Sequence, residues 1–336
     1  MNDLSAEYQR FKKELSAKHI LVIGDVMIDR YQIGTVNRLS PEAPVPVLDW
    51  KITENTLGGA ANVLHNLLSL GCQASLVSVC GDDEESTFLE KLLNSMNPGK
   101  IYLLKEPQRL TTVKTRMMND RVQLLRLDKE SQYDITKKTE QQLSAKILEL
   151  IEEQIPDVII LQDYNKGLFT QSFIHFILDY SKLKNIPVCV DPKKKHFFEF
   201  QGVRLFKPNL KEASESMQRY VHADINITAK LAKDIQRELV CDSVLLTLGA
   251  DGSWFESQET SKHFKTIPRM VKDVSGAGDC VISLAALCIA CSLTDEMIPL
   301  ICNVAGGHAC EIMGVNPIDK QRFMLELDEI FKHPNT

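Results

Sequence analysis

The 336-residue sequence has no hydrophobic segment long enough to cross a membrane and no excess of basic residues. Its longest apolar run, residues 280–293, is shorter than the roughly 20 residues that a membrane-spanning helix needs. The formal net charge is −6, with 39 basic and 45 acidic residues, so no basic field exists for nucleic acid or anionic lipid. The N-terminus is charged and helical in character rather than signal-like. We therefore expect a cytoplasmic protein that has neither nucleic acid nor a membrane as partner.

The sequence also lacks a disulfide framework. Its nine cysteines are an odd number at scattered positions, which is typical of reduced, buried thiols. Cys288 and Cys291 have the spacing of a metal or redox pair, but they lie among small apolar residues and no second pair accompanies them. We therefore interpret them as buried helix residues. A chain of this length buries enough apolar surface to fold without crosslinks.

Repeats, linkers and the GxxxxGK[ST] phosphate-binding motif are all missing, and short apolar strands alternate with amphipathic helices instead. This alternation predicts one α/β domain over residues 1–336, with a doubly wound, mostly parallel sheet between helices. Ligands of such folds bind beyond the carboxyl ends of the strands. The predicted strands cover residues 19–26, 74–80, 158–161, 188–190 and 244–248. The predicted helices cover residues 60–70, 84–96, 139–153, 171–183, 228–239, 277–292, 296–313 and 319–331.

Two stretches break this rhythm and predict a small β-lid inserted in the core. Residues 31–50 are rich in proline and alternating side chains, and residues 111–128 form two extended segments that meet at Asn119 and Asp120 in a hairpin. The lid is expected to comprise about residues 30–56 and 108–128. Because a lid has exposed strand edges, we also expect a homodimer that pairs through it.

The strongest chemical signal is DVSGAGD at residues 273–279, followed at once by an apolar helix. Glycines at 276 and 278 let successive amides converge at the positive end of that helix, a cradle for a transferring phosphoryl group. Asp279 then lies at the mouth of the cradle, where it could accept a proton from an attacking hydroxyl. The alternative is a glycine-rich loop with an aspartate that caps the helix.

The motif LGGAAN at residues 57–62 also leads into a helix. Gly58 and Gly59 permit close approach to a polyhydroxylated ligand, and the Asn62 amide matches a sugar hydroxyl. Upstream, Asp29 could bind adjacent hydroxyls with both carboxylate oxygens. The alternative for the paired glycines is a tight turn between a strand and a helix.

Two further motifs suit a nucleotide with its metal ion. Asn209 and Glu212 lie one helical turn apart and could organise Mg²⁺ through water, or they could form a capping box. TLGADG at residues 247–252 could present amides to a nucleotide, or merely join two strands. The residues concerned in this second motif are Thr247, Gly249 and Gly252.

Cations follow two of the predicted strands. Lys166 lies in DYNKG at residues 163–167, and Lys193 lies in DPK at residues 191–193. Because ligands bind at this edge of a parallel sheet, either lysine could hold a phosphate of the substrate or of the nucleotide.

In order along the chain, GDVMID, GGAAN, DYNKG, DPK, KPNLKE, TLGADG and DVSGAGD resemble the motifs of the ribokinase-like (pfkB) family of carbohydrate kinases, over about residues 18–318. The resemblance implies a ribokinase-like fold with a β-lid and the use of ATP and Mg²⁺; it leaves open whether a monovalent cation is required. It assigns Asp279 as the base, and it places the adenine near residues 303–308. The residues that it implies for the remaining roles are Gly276, Ala277 and Gly278 for the anion hole, Asn209 and Glu212 for Mg²⁺, and Asn303 for the nucleotide.

Within this family, RLSPEAPVPV at residues 38–47 and LLRLD at residues 124–128 resemble the heptose 7-phosphate kinases of ADP-heptose synthesis, which supplies the lipopolysaccharide core. That group phosphorylates O1 of D-glycero-β-D-manno-heptose 7-phosphate, and Arg38 becomes a further candidate for the 7-phosphate. Its bifunctional members carry a C-terminal nucleotidyltransferase module. The sequence ends at Thr336 without one, so we expect a stand-alone kinase.

Alternatives remain at this stage because Cys280 stands where the family usually has threonine, and TLGADG is closer to other sugar kinases. The acceptor could be ribose, fructose, fructose 6-phosphate or a nucleoside. A non-catalytic sensor of sugar phosphates on the same fold is the alternative from a different class.

Overall fold

The computed structural model describes residues 4–219 and 224–332. Its helices begin where the sequence supplies caps: Asp83, Thr136 and Thr170 each accept a hydrogen bond from a backbone amide of the helix that follows. The helices are α1 (Leu4–Glu14), α2 (Ala60–Ser69), α3 (Glu84–Ser95), α4 (Lys137–Glu153), α5 (Gln171–Leu183), α6 (Leu210–Ser216), α7 (Ile225–Leu239), α8 (Ala277–Ala290), α9 (Met297–Cys310) and α10 (Lys320–Lys332).

The strands form two sheets. They are β1 (His19–Gly24), β2 (Val26–Leu39), β3 (Pro46–Gly59), β4 (Gln73–Gly81), β5 (Ile101–Glu106), β6 (Thr112–Asn119), β7 (Val122–Lys129), β8 (Val158–Gln162), β9 (Val188–Asp191), β10 (Leu205–Phe206), β11 (Ser243–Thr247), β12 (Ser253–Glu256) and β13 (Ser261–Phe264). The larger sheet has the order β13-β12-β11-β10-β9-β8-β1-β4-β5, and only its β11–β12 and β12–β13 pairs are antiparallel.

The central strand β1 shows why helices cover both faces of this sheet. Ile20 and Val22 point into one hydrophobic cluster, with α2, α8, α9 and α10, whereas Leu21 and Ile23 point into the other, with α4, α5 and α7. Side chains alternate across a strand, so a strand that is apolar throughout needs cover on both sides. The predicted doubly wound α/β architecture is therefore confirmed.

The smaller sheet, which we call the lid sheet, has the order β3-β2-β6-β7. It contains both segments predicted to break the α/β rhythm, and its strands extend them to Val26 and Gly59. The predicted hairpin is confirmed, since β6 and β7 are antiparallel and Asp120 in the turn has φ +50°. In contrast, β2 and β6 pair in parallel, which local pattern does not reveal.

The described part of the chain contains no helix that is both long and apolar enough to cross a bilayer. All nine cysteines are free thiols, and all but Cys310 are buried. Cys288 and Cys291 lie on one apolar helix and the residue that follows it, as interpreted from the sequence.

Candidate active site

Four polar residues gather at one edge of the larger sheet because parallel strands end there together. Asp25 follows β1, Gln162 and Asp191 end β8 and β9, and Lys207 follows β10. All four are buried. The Lys207 ammonium lies 3.0 Å from an Asp191 carboxylate oxygen, to which Gln162 also donates at 3.0 Å. We call these four buried, hydrogen-bonded residues the polar floor, because they lie beneath any ligand that binds at this edge of the sheet.

Asp279 stands over this floor, in the first turn of α8. Its Oδ1 accepts hydrogen bonds from the Tyr164 hydroxyl at 2.8 Å and from Gln162 Nε2 at 3.1 Å, and its Oδ2 accepts one from Asn62 Nδ2 at 2.8 Å. A carboxylate has about four acceptor positions, so Oδ2 keeps one for a further donor. Asp279 does not cap its own helix, which begins after Gly276. The alternative of a capping aspartate is therefore wrong.

Burial raises the pKa of the Asp279 carboxyl group to about 6, and the nearby charge of Asp191 acts in the same direction. The hydrogen bonds from Asn62 and Tyr164 and the charge of Lys207 oppose this increase in pKa. A carboxyl group with a pKa near the working pH is suited to proton transfer as a general base.

Backbone amides at the start of α8 lie beside this carboxylate. Gly276 has φ +78°, and among the described residues the N–H groups of Gly276, Gly278 and Asp279 have no protein acceptor. Gly278 is exposed, and a side chain there would begin 3.6 Å from the Lys207 ammonium. Free amides at a helix N-terminus with a cation next to them form an anion-binding arrangement. The sequence predicts such a cradle at Gly276, Ala277 and Gly278; of these three, Gly276 and Gly278 have free amides, whereas the Ala277 amide donates to the Val274 carbonyl at 3.3 Å.

The paired glycines of LGGAAN serve close approach within the protein. A side chain at Gly58 would begin 2.2 Å from Asp29 Oδ2, and the amide of Ala60 bonds to the carbonyl of Asp25 beside Gly59. Asp29 is buried and paired with Arg116 of β6. The tight strand-to-helix turn is thus present, and it brings Asp29 and Asn62 to the same side of the sheet edge.

The predicted nucleotide residues lie on the other side of Asp279. Asn209 and Glu212 form a capping box, with Asn209 Oδ1 accepting from the Glu212 amide at 2.9 Å and Glu212 Oε2 accepting from the Asn209 amide at 2.8 Å. The capping interpretation is therefore confirmed. The second carboxylate oxygen of Glu212 binds Lys193, which also lies 5.1 Å from the centre of the Tyr164 ring.

The TLGADG motif joins two strands of the sheet. Thr247 ends β11 next to Asn209, and Gly249 and Gly252 lie in the turn that leads into β12. Asn303 of α9 packs against this hairpin, where its Oδ1 accepts from Ser253 at 2.9 Å and its Nδ2 donates to the Phe264 carbonyl at 2.9 Å. Its amide is thus bonded to protein groups at both ends.

The structure separates the three candidate phosphate-binding cations. Lys166 follows β8, as predicted, but its ammonium lies 2.6 Å from Glu130. Lys193 is paired with Glu212. Arg38 lies near the far end of β2, exposed and outside the cluster around Asp279.

Sequence reasoning missed two of the three side chains that bind Asp279, since only Asn62 was a predicted site residue. Gln162 and Tyr164 received no role, although both lie at the end of a predicted strand, which is the one signal that could have found them. Lys207 is the first residue of KPNLKE, but only Asn209 and Glu212 of that motif were assigned a role, so Lys207 was overlooked. Arg116 gave no signal, because only the lid sheet brings it to Asp29.

A second pair of buried carboxyl groups, Asp25 and Asp163, lies under Tyr164. Asp25 accepts hydrogen bonds from the amides of Tyr164 and Lys166 at 2.8 and 3.2 Å. Burial raises the pKa of Asp163 to about 7, with the charge of Asp25 as a further cause, and burial also raises the pKa of Asp25. These two side chains hold the loop after β8 in place.

Comparison with known proteins identifies the family of the chain. The model of the pfkB family carbohydrate kinases matches residues 17–316. The chain is 35% identical over 324 residues to the bifunctional protein HldE of Citrifermentans bemidjiense, covering 96% of this chain and 66% of that protein. It is 37% identical over 304 residues to the bifunctional protein HldE of Helicobacter hepaticus, covering 90% and 62%. The chain thus spans about two thirds of the length of these curated relatives.

Solved structures show the same fold. Phosphofructokinase-2 from Escherichia coli in complex with potassium superposes with a TM-score of 0.76 at 18% identity, covering 95% of this chain and 99% of that one. Ribokinase from Arabidopsis thaliana, complexed with ribose and ATP, superposes with a TM-score of 0.70 at 15% identity, covering 92% and 98%. The predicted ribokinase-like fold is therefore confirmed.

Proposed function

The chain belongs to the pfkB family of carbohydrate kinases, which makes it an ATP-dependent carbohydrate kinase, and from that premise we propose that it phosphorylates O1 of D-glycero-β-D-manno-heptose 7-phosphate. Two findings support this acceptor. The motifs at residues 38–47 and 124–128 resemble heptose 7-phosphate kinases, a group with bifunctional members, and the curated relatives are bifunctional HldE proteins. The observation that carries the proposal is Asp279, a buried carboxylate beside unpaired amides.

Asp279 is the general base of the proposed reaction. The acceptor hydroxyl hydrogen-bonds to Oδ2, for which Asn62 is the one protein donor among the residues that the structure describes. As the oxygen attacks the γ-phosphorus, its proton passes to the carboxylate, and Tyr164 and Gln162 keep the carboxylate oriented through Oδ1. General-base catalysis of this kind contributes about 10²–10⁴ in rate.

The free amides of Gly276, Gly278 and Asp279, together with Lys207, stabilise the phosphoryl group during transfer. They are fixed before the substrate binds, because α8 is buried behind them and Lys207 is held by Asp191. Preorganised donors lower the barrier without reorganisation, and positioning with electrostatics dominates phosphoryl transfer.

We propose ATP with Mg²⁺ as the phosphoryl donor, bound between the 276–279 amides and the hairpin at Thr247–Gly252. No cluster of three or more His, Cys, Asp or Glu side chains able to hold a metal occurs in residues 4–219 and 224–332. Because Asn209 and Glu212 already bond within their capping box, they fit Mg²⁺ only through water. When bound, the ion would neutralise charge on the phosphates.

The acceptor site lies between the lid sheet and the core. Asp29 of β2 lies beside Gly58 of β3 in the lid sheet, and Asn62 of α2 reaches Asp279 from the core. We propose that Asp29 and Asn62 bind sugar hydroxyls while the lid sheet excludes water from the transferring phosphoryl group.

The function is tested by measuring ADP formation with ATP and a panel of acceptors. The panel contains heptose 7-phosphate, fructose 6-phosphate, ribose, fructose and a nucleoside. We expect heptose 7-phosphate to give the highest kcat/KM and a 1,7-bisphosphate by mass and phosphorus NMR. A higher kcat/KM for any other acceptor contradicts the heptose assignment, and ligand-dependent thermal stabilisation without turnover favours a sensor. Since one structural relative was solved with potassium, each assay is run with and without KCl.

The pH dependence of the kinase provides a first prediction. Because the base acts only when ionised, and the pKa of Asp279 is about 6, kcat/KM should fall about tenfold per unit below pH 6. Tyr164→Phe removes a hydrogen bond that lowers this pKa, so the acid limb should move up by about one pH unit. Initial rates from pH 5 to 8.5 measure both effects.

Tyr180→Phe serves as the matched control for that profile. The Tyr180 hydroxyl donates to Glu152 on the surface, remote from the site. ATP also changes its protonation with pH, but it does so equally in the assays of the wild type and of both variants. Only Tyr164→Phe should therefore shift the acid limb of the pH profile. If the two variants have superimposable profiles, Tyr164 does not tune the base.

We further propose that two copies pair through the lid sheet. Its strands β3 and β7 are unpaired edges, and apolar side chains on it stand exposed: Trp50 by 64%, Leu125 by 62% and Leu127 by 59%. Unpaired edges with exposed apolar residues favour association.

The pairing predicts a dimeric mass by light scattering for the wild type. Leu125→Glu should give a monomer, because it places a charge in the shared apolar surface. Leu183→Glu, at the equally exposed end of α5, should remain dimeric. A monomeric wild type at micromolar concentration is incompatible with the proposal.

A further inference from the structure

One lysine of the lid sheet lies in the cleft without an acidic partner. Lys114 is half-buried on β6, and among the described residues its ammonium makes no hydrogen bond or ion pair. The ammonium lies instead over the ring of Tyr164, 5.3 Å from the ring centre. Burial lowers the pKa of Lys114, which shows that its ammonium has lost part of its hydration.

The register of the lid sheet explains why Lys114 faces the core. It lies opposite Asp29 on β2 and opposite Asp128 on β7, so these three side chains share one face. Arg116, two residues on, lies on the same face and binds Asp29. This face is polar, whereas the reverse face carries Leu125 and Leu127, opposite Met117 and Thr115.

Within residues 4–219 and 224–332, every other cation around the cleft is already paired with a carboxylate. Arg116 takes Asp29, and Arg126 takes Asp128 at 2.8 Å, so neither of the two acids beside Lys114 is left for it. The remaining pairs are Lys166 with Glu130, Lys193 with Glu212 and Lys207 with Asp191. Lys114 is therefore the cation in this cleft whose charge is available to a ligand.

The position of Lys114 relative to the base defines what that ligand is. Tyr164 lies between them, with its ring near the Lys114 ammonium and its hydroxyl on Asp279. A ligand that reaches Lys114 while its reacting hydroxyl is at Asp279 must carry its anionic group at the end remote from that hydroxyl. The nucleotide residues Asn209 and Glu212 lie on the α6 side, whereas Lys114 belongs to the lid.

We propose that Lys114 binds the phosphate group of the acceptor and thereby makes the enzyme select a phosphorylated sugar. The inference rests on the proposed kinase function but not on the identity of the sugar. The Lys114 ammonium is already partly dehydrated and has no carboxylate partner, so binding a phosphate breaks no ion pair. Lys166 and Lys193 would first have to give up theirs, and their net gain in binding free energy is therefore smaller. Lys166 and Arg126 are also close enough to lower the pKa of Lys114, whereas Asp29 and Asp128 raise it; those two carboxylates are engaged by Arg116 and Arg126.

Lys114→Met tests the proposal, with Lys51→Met as the matched control. Lys51 is on the same sheet and is exposed, so its substitution removes an equal charge outside the cleft. KM and kcat are measured for heptose 7-phosphate and fructose 6-phosphate, and for the unphosphorylated sugars ribose and fructose. In Lys114→Met we expect KM for the phosphorylated acceptor to rise about 10–100-fold, since one charge-assisted hydrogen bond is lost. Its preference for phosphorylated over unphosphorylated sugar should fall by the same factor.

Two further measurements separate this inference from the proposed function. Lys114→Arg should recover most of the preference, which a purely structural role of the lysine would not require. If the wild type phosphorylates no sugar, the proposed function fails, and calorimetric titration with inorganic phosphate then decides on Lys114. Weaker phosphate binding in Lys114→Met than in wild type and Lys51→Met supports the inference. Unchanged preference, or phosphate binding equal in all three proteins or absent from the wild type, overturns it.

Discussion

Asp279→Asn should fold normally and lose about three orders of magnitude in kcat while its KM for ATP changes little. Asparagine keeps the size of the side chain and an oxygen for Tyr164 and Gln162, but it cannot accept a proton from the acceptor hydroxyl. The loss therefore falls on the chemical step. Single-turnover and steady-state kinetics with saturating ATP measure it, and turnover within tenfold of wild type would remove Asp279 from the role of base.

Thermal unfolding provides the folding control for this variant. Burial disfavours the charged form of Asp279 and raises its pKa from the ordinary value of 3.8 to about 6 in the folded protein, so the resulting destabilisation is complete above about pH 7. This destabilisation disappears as the pH falls from about 6 toward 4, because the carboxyl group becomes protonated in the folded protein. Relative to wild type, Asp279→Asn should have an equal or higher Tm at pH 8, and the difference should shrink at pH 5. A lower Tm at pH 8 would instead indicate damage to the hydrogen-bond network.

Gly276→Ala should lower kcat by about 100-fold, the second-largest effect expected, because oxyanion-type stabilisation by a single donor is worth roughly 10²–10³. With φ +78°, Gly276 is in a region that alanine disfavours, and a Cβ there would lie 3.0 Å from Asn62 Nδ2 and 3.3 Å from Val315. The turn must shift, so the free amides of Gly278 and Asp279 no longer converge. Transient kinetics of ADP formation measure the loss.

Gly202→Ala is the matched control for backbone strain. Gly202 also has positive φ, +69°, but a Cβ there would meet nothing within 4 Å, and the residue is remote from the site. Its substitution should cost about 1 kcal/mol of unfolding free energy and leave kcat unchanged. If both variants lose activity in proportion to stability, the amides of residues 276–279 are not a specific anion site.

Comparison of particular elements shows what local pattern can predict. The apolar strands β1, β4, β8 and β11 were predicted within about two residues, because strands covered on both faces are hydrophobic throughout. Strands β5, β10, β12 and β13 and helix α6 were not predicted. β10 is only two residues long, β13 (SKHF) is mostly polar, and α6 has seven residues with a weak apolar face. β5 (IYLLKE) begins with four apolar residues, so its pattern was present in the sequence but was not assigned to a strand.

The residues of the site divide in the same way. Gly276, Gly278 and Asp279 were found because their roles depend on neighbours in one motif. The contacts of Asp279 were not, since its partner Asn62, itself a predicted site residue, is 217 positions away and Gln162 is 117. Likewise, the ion pairs of Lys166 and Lys193 depend on Glu130 and Glu212, which other elements supply.

The sequence by itself determined the α/β class, the glycine turns and the carboxylate that follows one of them, because each depends on short-range periodicity or on the backbone freedom of a few adjacent residues. Only the tertiary structure decided which side chains surround that carboxylate, that Asn209 and Glu212 cap a helix, and that Lys114 is left without a partner. Those outcomes depend on strand order and register, which join positions far apart in the chain and leave no local pattern in it.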